Sequence, residues 1–157
     1  MKRKCEILVF LLLLSALLTG CQSNGQQQSK AAALPLREAV EQALIDKEEF
    51  VAYTADDLSD IMGIMPEDYT EAVFLVSKDS LSGREIIAVR AKDADAQKAA
   101  AESLNRYLKQ RMEETRNYLP EVYKQQNDTR VESKGLTAVL IVGPHGTEET
   151  KAFLAGE

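Results

Sequence analysis

The sequence contains few of the residues from which metal centres and catalytic triads are usually built. Its 157 residues include two cysteines, one histidine and no tryptophan. Two cysteines and one histidine are too few for a zinc cluster or a disulfide framework. A Ser-His-Asp triad would have to use His145, and neither Ser103 nor Ser133 lies in a Gly-x-Ser-x-Gly segment. The sequence therefore predicts no metal, no cofactor and no catalytic residue.

Positive charge is also scarce. The chain has 19 Lys and Arg against 25 Asp and Glu, a net charge of −6, and removing the first twenty residues, which carry +2, leaves −8. No basic patch with interleaved aromatic residues stands out in the sequence. Because nucleic acid phosphates repel an acidic domain, we expect no nucleic acid partner.

The N-terminus has the pattern of a bacterial lipoprotein signal. Basic residues at positions 2–4 precede an apolar run over residues 7–18, which is too short for a transmembrane helix. Residues 18–21 read Leu-Thr-Gly-Cys and resemble a lipobox. The resemblance implies cleavage after Gly20 and a diacylglyceryl group on the sulfur of Cys21. The alternative is an ordinary secretory signal followed by an unrelated cysteine.

A diacylated Cys21 would bind the lipid bilayer and hold the chain at the outer face of the cell membrane, because two acyl chains anchor stably. Residues 1–20 are then the lipoprotein signal peptide. Residues 21–34 are mostly small or polar, and we expect a flexible tether with an r.m.s. reach of about 20 Å that does not fix the orientation of the domain. Residues 35–157 are long enough for one domain with its own core.

Hydrophobic periodicity predicts that this domain is α+β. Helices are expected over residues 35–46, 56–62 and 94–119, from residue 147 onward, and for a turn or two after Pro120. Strands are expected over residues 72–78, 85–92, 129–134 and 136–142, the first two as an antiparallel hairpin. We predict a small, mainly antiparallel sheet packed by one long amphipathic helix and shorter helices.

Several segments of this domain resemble a known family. They are residues 84–93 (Arg-Glu-Ile-Ile-Ala-Val-Arg-Ala-Lys-Asp), Arg111, residues 118–123 (Tyr-Leu-Pro-Glu-Val-Tyr) and residues 134–136 (Lys-Gly-Leu). In this order they are similar to uncharacterised lipoproteins of Gram-positive anaerobes, the domain of unknown function 4358. The resemblance covers residues 36–155 and implies an exported, lipid-anchored α+β domain. It implies no activity, ligand or catalytic residue.

Three residues around Pro120 are the candidate binding residues. Because proline breaks the helix, Tyr118 and Tyr123 lie on either side of a corner and could line a groove for a peptide or glycan. The alternative is that both rings pack the helix end onto the sheet. Arg111 could bind a carboxylate ligand, or its stem could cover the core while its head pairs with an acid such as Glu114 or Glu71.

The remaining polar features have simple interpretations. His145 lies in Gly-Pro-His-Gly, which reads as a turn before a final helix capped by Thr147. Acidic pairs such as Glu148-Glu149 lack calcium-loop spacing and are expected to face solvent. In the helix over residues 56–62, Asp56 is the expected N-cap, and the side chains expected to be buried are Leu58, Ile61 and Met62.

Three functional hypotheses remain. The first is a non-catalytic, membrane-anchored module that binds an envelope protein or another envelope component. The second is a lipoprotein that carries a small ligand or peptide, although such carriers usually have two lobes. The third is a cell-wall hydrolase, which is the weakest because the sequence offers no nucleophile–base pair and no metal-ligand set.

Overall fold

The computed structural model describes residues 34–157, and this part of the chain contains five α-helices and one five-stranded sheet. The helices are α1 (Leu36–Ala43), α2 (Ala55–Met62), α3 (Ala94–Thr115), α4 (Pro120–Asp128) and α5 (Gly146–Gly156). The strands are β1 (Phe50–Ala52), β2 (Tyr69–Ser77), β3 (Glu85–Ala91), β4 (Glu132–Lys134) and β5 (Thr137–Val142). The α+β prediction is confirmed. The signal peptide, Cys21 and the tether up to residue 33 lie outside the described residues.

The sheet is antiparallel throughout, with the strand order β1-β2-β3-β5-β4. The predicted hairpin is formed by β2 and β3, in which Phe74 lies opposite Ile87. On the other side of β3, Ile87 lies opposite Leu140 of β5. Strands β2, β3 and β5 therefore occupy the interior of the sheet, while β1 and β4 form its two edges.

Helices cover both faces of the sheet, as the continuous apolar strands predict. On one face, α2 and α3 pack against side chains of β2, β3 and β5 that include Phe74, Ile87 and Leu140. On the other face, α1 and α5 pack against Ile86 and Ile141. Because successive side chains of a strand point to opposite faces, one apolar strand serves both cores.

Some boundaries and caps differ from the prediction. Helix α3 ends at Thr115 rather than at residue 119, and α4 then begins at Pro120. Helix α2 is capped by Thr54 instead of Asp56, and Ile61 is exposed. Helix α5 begins at Gly146, so Thr147 is not its cap.

Two observations concern the described residues as a whole. No helix within residues 34–157 combines the length and apolar character needed to span a membrane. Over the same residues, no group of three or more His, Cys, Asp or Glu side chains is arranged to hold a metal ion.

Candidate functional site

The corner between α3 and α4 is fixed by a buried hydrogen bond. The hydroxyl of Thr115 lies 2.9 Å from the Arg111 carbonyl oxygen and 2.5 Å from Oε1 of the fully buried Gln126. Leu119 is the N-cap of α4, and Pro120 occupies the first turn, where a missing backbone N–H costs nothing. The turn between the two helices is thus set by a proline and by one polar contact in the interior.

Arg111 is held by two carboxylates of the same chain. Its Nη2 lies 2.8 Å from Oε1 of Glu85, and its Nη1 lies 2.6 Å from Oε2 of Glu114. Of the two predicted partners, Glu114 is therefore confirmed, whereas Glu71 pairs with Arg90. Burial alone would lower the pKa of Arg111, but the adjacent Glu85 carboxylate and the hydrogen bond to Glu114 outweigh it and the pKa is raised.

Glu85 is the buried centre of this cluster and was not singled out from the sequence. Its side chain is almost completely buried at the start of β3 and accepts a 2.8 Å hydrogen bond from the Tyr107 hydroxyl. Burial, followed by the Glu85 carboxylate, raises the pKa of Tyr107, so that its hydroxyl stays protonated. Both carboxylate oxygens of Glu85 already accept hydrogen bonds, which favours a structural role over a proton-transfer role. An acidic residue at the start of an apolar strand was the only sequence signal for it.

The two predicted tyrosines differ in their surroundings. Tyr118 is 84% exposed. Tyr123 is partly buried on α4, with the guanidinium of Arg116 5.6 Å from its ring centroid. Only Tyr118 is therefore freely accessible to a large partner.

The β2–β3 turn lies against the first turn of α4. A Cβ atom on Gly83 would lie 2.2 Å from Cγ1 of Val122, so the Val122 side chain packs directly against the Gly83 backbone. Leu81, in the same turn, is 71% exposed. Residues 79–83 together with residues 116–119 are called the distal corner below.

The distal corner lies at the opposite end of β3 from the point where the described chain begins. Glu85 is at the corner end of the strand. At the other end, Nη1 of Arg90 lies 3.4 Å from the Leu34 carbonyl oxygen. Five residues of extended chain separate these ends by about 17 Å. Leu34, the first described residue, therefore lies at the other end of β3 from the distal corner.

Two adjoining cavities lie beside α5 and α4. Their volumes are about 430 Å³ and 460 Å³, and they share Asp128, Thr129, Gly146 and Thr147 as lining residues. The lining of these two cavities includes none of Arg111, Tyr118 and Tyr123.

A second buried charge cluster contradicts one prediction. Glu149, expected to face solvent, is completely buried and forms a salt bridge with the buried Arg84. Asp46 lies between Arg84 and His145, with its Oδ2 3.8 Å from Nη1 of Arg84 and 3.7 Å from Nε2 of His145. The prediction that Glu149 faces solvent is wrong because Glu149, the fourth residue of α5, faces the sheet, where Arg84 supplies the compensating charge.

The fold and its clusters define a class of protein: a small α+β domain with three layers, whose buried charges are paired with one another. A family model described as Domain of unknown function (DUF4358) matches residues 43–143, which is more than half of the chain. The chain belongs to this family, as the resemblance in the sequence indicates. No curated protein matches the chain. No solved structure matches it either.

Proposed function

We propose that this chain is a membrane-anchored lipoprotein whose folded domain binds another protein at the outer face of the cell membrane. The anchor is Cys21, which follows a basic segment, an apolar segment and the sequence Leu-Thr-Gly. The binding surface is the distal corner, and the domain acts by binding and not by catalysis.

The exposure of Tyr118 and Leu81 carries the binding proposal. They are the two most exposed large hydrophobic side chains of the described residues, and the contact between Gly83 and Val122 brings their segments together. Tyr118 and Leu81 thus lie on two segments that meet at one corner, and tyrosine is enriched at protein-binding surfaces.

The position of the corner supports the same proposal. Leu34, the first described residue, lies beside Arg90 at the other end of β3 from the corner. The salt bridge between Arg111 and Glu85 joins α3 to the start of β3, the two elements next to the corner.

Site-specific photocrosslinking in intact cells tests the binding surface. A photoreactive residue is placed at Tyr118, at Leu81 and, as a control, at Lys98, which is exposed on α3. We expect positions 118 and 81 to yield an adduct of the same mass and position 98 to yield none. Equal crosslinking at all three positions, or no adduct at 118 and 81, would reject the proposal.

The anchor has its own test. In cells labelled with radioactive palmitate, we expect the chain to be labelled and Cys21→Ser to abolish the label, while Cys5→Ser keeps it. The Cys21→Ser protein should also be released to the medium or remain unprocessed. Normal processing together with full membrane retention of Cys21→Ser would exclude lipid anchoring at this residue.

A carrier function is the second candidate, and the two cavities beside α5 favour it. Together they could accept a small ligand, since pockets for such molecules usually measure about 300–1,000 Å³. Thr147 lies in the wall of both cavities. If the domain is a carrier, Thr147→Trp should abolish ligand recovery from the purified protein and leave crosslinking at Tyr118 unchanged.

A further inference from the structure

Negative charge is concentrated in one segment of the domain. Residues 48–77 contain eight Asp and Glu residues and no Lys, Arg or His. The fold pairs four of these carboxylates with bases from later in the chain: Glu48 with Arg84, Glu49 with Lys78, Asp68 with Lys92 and Glu71 with Arg90. Asp57 caps α2, and Asp56, Asp60 and Glu67 form no salt bridge with any described residue. Helix α2 and the turn after it therefore carry negative charge that no described base pairs with.

Lys92, just after β3, does not supply the missing positive charge. Its ammonium lies 2.9 Å from Oδ1 of Asp68. This hydrogen bond is the largest of the effects that raise the pKa of Lys92, and the charges of Asp93 and Glu67 raise it as well. One ammonium is therefore shared by three carboxylates.

The bases of α3 do not supply it either, although α3 packs against α2. Arg106 donates a 2.7 Å hydrogen bond to the Ser103 hydroxyl and forms no salt bridge with a described residue. Lys98 and Lys109 are exposed and lie roughly opposite Tyr107 on the helix, whereas the Tyr107 ring faces β2. None of these three bases therefore pairs with the acidic side chains of α2.

The end of α2 departs from local sequence rules in charge and in burial. Asp60 lies in the last turn, where the helix dipole disfavours negative charge, and four residues after Asp56, where like charges repel. Ile61, which the sequence predicts to be buried, is 47% exposed, and Met65, four residues further on, is 43% exposed. Such departures from local rules are expected at functional surfaces. Asp56, Asp60, Ile61 and Met65 are called the α2 surface below.

We propose that the α2 surface binds a basic segment of another protein, in which Lys or Arg side chains flank an apolar one. The bases pair with Asp56 and Asp60, and the apolar side chain covers Ile61 and Met65. Both Met and Arg are enriched at protein interfaces. A second copy of this chain is not the partner, because two α2 surfaces repel each other, and the same charge repels anionic lipid and nucleic acid.

The α2 surface is separate from the distal corner. The amide of Lys92 donates a 3.0 Å hydrogen bond to the Asp68 carbonyl, so the turn after α2 lies at the other end of β3 from the corner. The inference adds a second binding surface to the proposed function and does not depend on the first. Its failure would leave the crosslinking test at Tyr118 unaffected.

Photocrosslinking from position 61 in intact cells tests the charge of the partner. A photoreactive residue replaces Ile61, and mass spectrometry identifies the segment to which it is joined. We expect one segment of net positive charge. Asp56→Lys combined with Asp60→Lys should reduce the adduct at least tenfold. The control, Glu102→Lys combined with Glu113→Lys, makes the same change in net charge at exposed positions of α3 and should leave the adduct unchanged.

The single variant Asp60→Lys separates binding from folding. It removes a like charge beside Asp56 and places a base in the last turn of α2, so the midpoint of urea denaturation should stay equal or rise while the adduct becomes weaker. A lower midpoint would show that Asp60 serves the fold and would overturn the proposal. No adduct at position 61, an adduct with a neutral or acidic segment or with a second copy, or equal adducts in the two double variants would overturn it as well.

Discussion

Arg84, immediately before β3, and Glu149 of α5 are separated by 65 residues in the sequence and form a salt bridge that is almost completely buried. The same Glu149 carboxylate accepts a 2.9 Å hydrogen bond from the amide of Ile45. Arg84 donates a 3.3 Å hydrogen bond to the Asp46 carbonyl oxygen. This one ion pair therefore holds the loop after α1 against both β3 and α5.

Removing one partner of this pair should destabilise the fold strongly. Either Arg84→Met or Glu149→Gln leaves the other partner buried without its normal partner, and such changes typically cost about 3–5 kcal/mol of the free energy of unfolding. Replacing both residues by methionine should cost less than Arg84→Met alone, because no uncompensated charge remains. Urea denaturation of the single and double variants measures these differences.

The exposed pair Lys78–Glu49 is the matched control for this prediction. Its side chains are 57% and 81% exposed at 2.8 Å separation. Glu49→Gln should change the free energy of unfolding by less than about 1 kcal/mol, as for most surface salt bridges. If Glu149→Gln and Glu49→Gln had equal effects, the buried pair would not be the contact that holds α5 to β3.

The elements with clear periodicity or strong turn residues were predicted correctly. Local sequence patterns predict helix α3, strands β2, β3 and β5, and the new helix that begins at Pro120. The end of α3 could not be placed, because the apolar stripe continues through Leu119, whereas the observed end depends on the contact between Thr115 and Gln126. That contact joins two helices, and no local pattern encodes it.

The charged clusters illustrate the same limit. Glu149 looks like a first-turn helix acid in an exposed pair, and only the three-dimensional fold reveals Arg84 opposite it. Glu85 likewise needs Tyr107 and Arg111 from α3 to be recognised as the centre of a cluster. Strand β1, only three residues long, was not predicted because it is too short for a recognisable alternation.

The cap of α2 gives a prediction of modest size. The Thr54 hydroxyl accepts a hydrogen bond from the Asp57 amide, and the Asp57 carboxylate accepts one from the Thr54 amide. Thr54→Ala removes half of this capping box and should lower the free energy of unfolding by about 1 kcal/mol. Ser59→Ala, in the same helix but outside the cap, should change it by less than about 0.5 kcal/mol in thermal or urea denaturation.

Two carboxylates should contribute to acid sensitivity. Hydrogen bonds from the amide and then the hydroxyl of Thr54 lower the pKa of Asp57, and hydrogen bonds from Gln110 and Arg111 lower the pKa of Glu114. A carboxylate whose pKa is lower in the folded chain stabilises the fold above its unfolded pKa of about 4. That contribution is lost as the pH falls through the lower, folded value.

NMR titration checks both pKa values and their causes. In Thr54→Ala, the pKa of Asp57 should rise partway toward its ordinary value, because the amide of residue 54 still donates, while that of Glu114 stays unchanged. In Gln110→Ala, the pKa of Glu114 should rise and that of Asp57 should not. Ordinary pKa values for both groups in the unaltered chain would contradict the assigned hydrogen bonds.

Two glycines with the same backbone conformation should respond differently to alanine. Gly83 has φ +60° and Gly135 has φ +57°, so either substitution costs about 1–2 kcal/mol for a left-handed backbone. An added Cβ at Gly135 meets no atom within 4 Å, whereas at Gly83 it would lie 2.2 Å from Cγ1 of Val122. Gly83→Ala should therefore lower the free energy of unfolding by about 1–3 kcal/mol more than Gly135→Ala.

Combining Gly83→Ala with Val122→Ala separates this steric effect from the backbone effect. Since Val122→Ala removes the two γ-carbons that the new Cβ would strike, the cost of Gly83→Ala should be smaller in the Val122→Ala background than in the unaltered chain. Urea denaturation of the four chains of this cycle gives the coupling between the two positions. A coupling near zero would mean that the β2–β3 turn does not rest on α4, and the distal corner would then lose the contact that brings Leu81 and Tyr118 together.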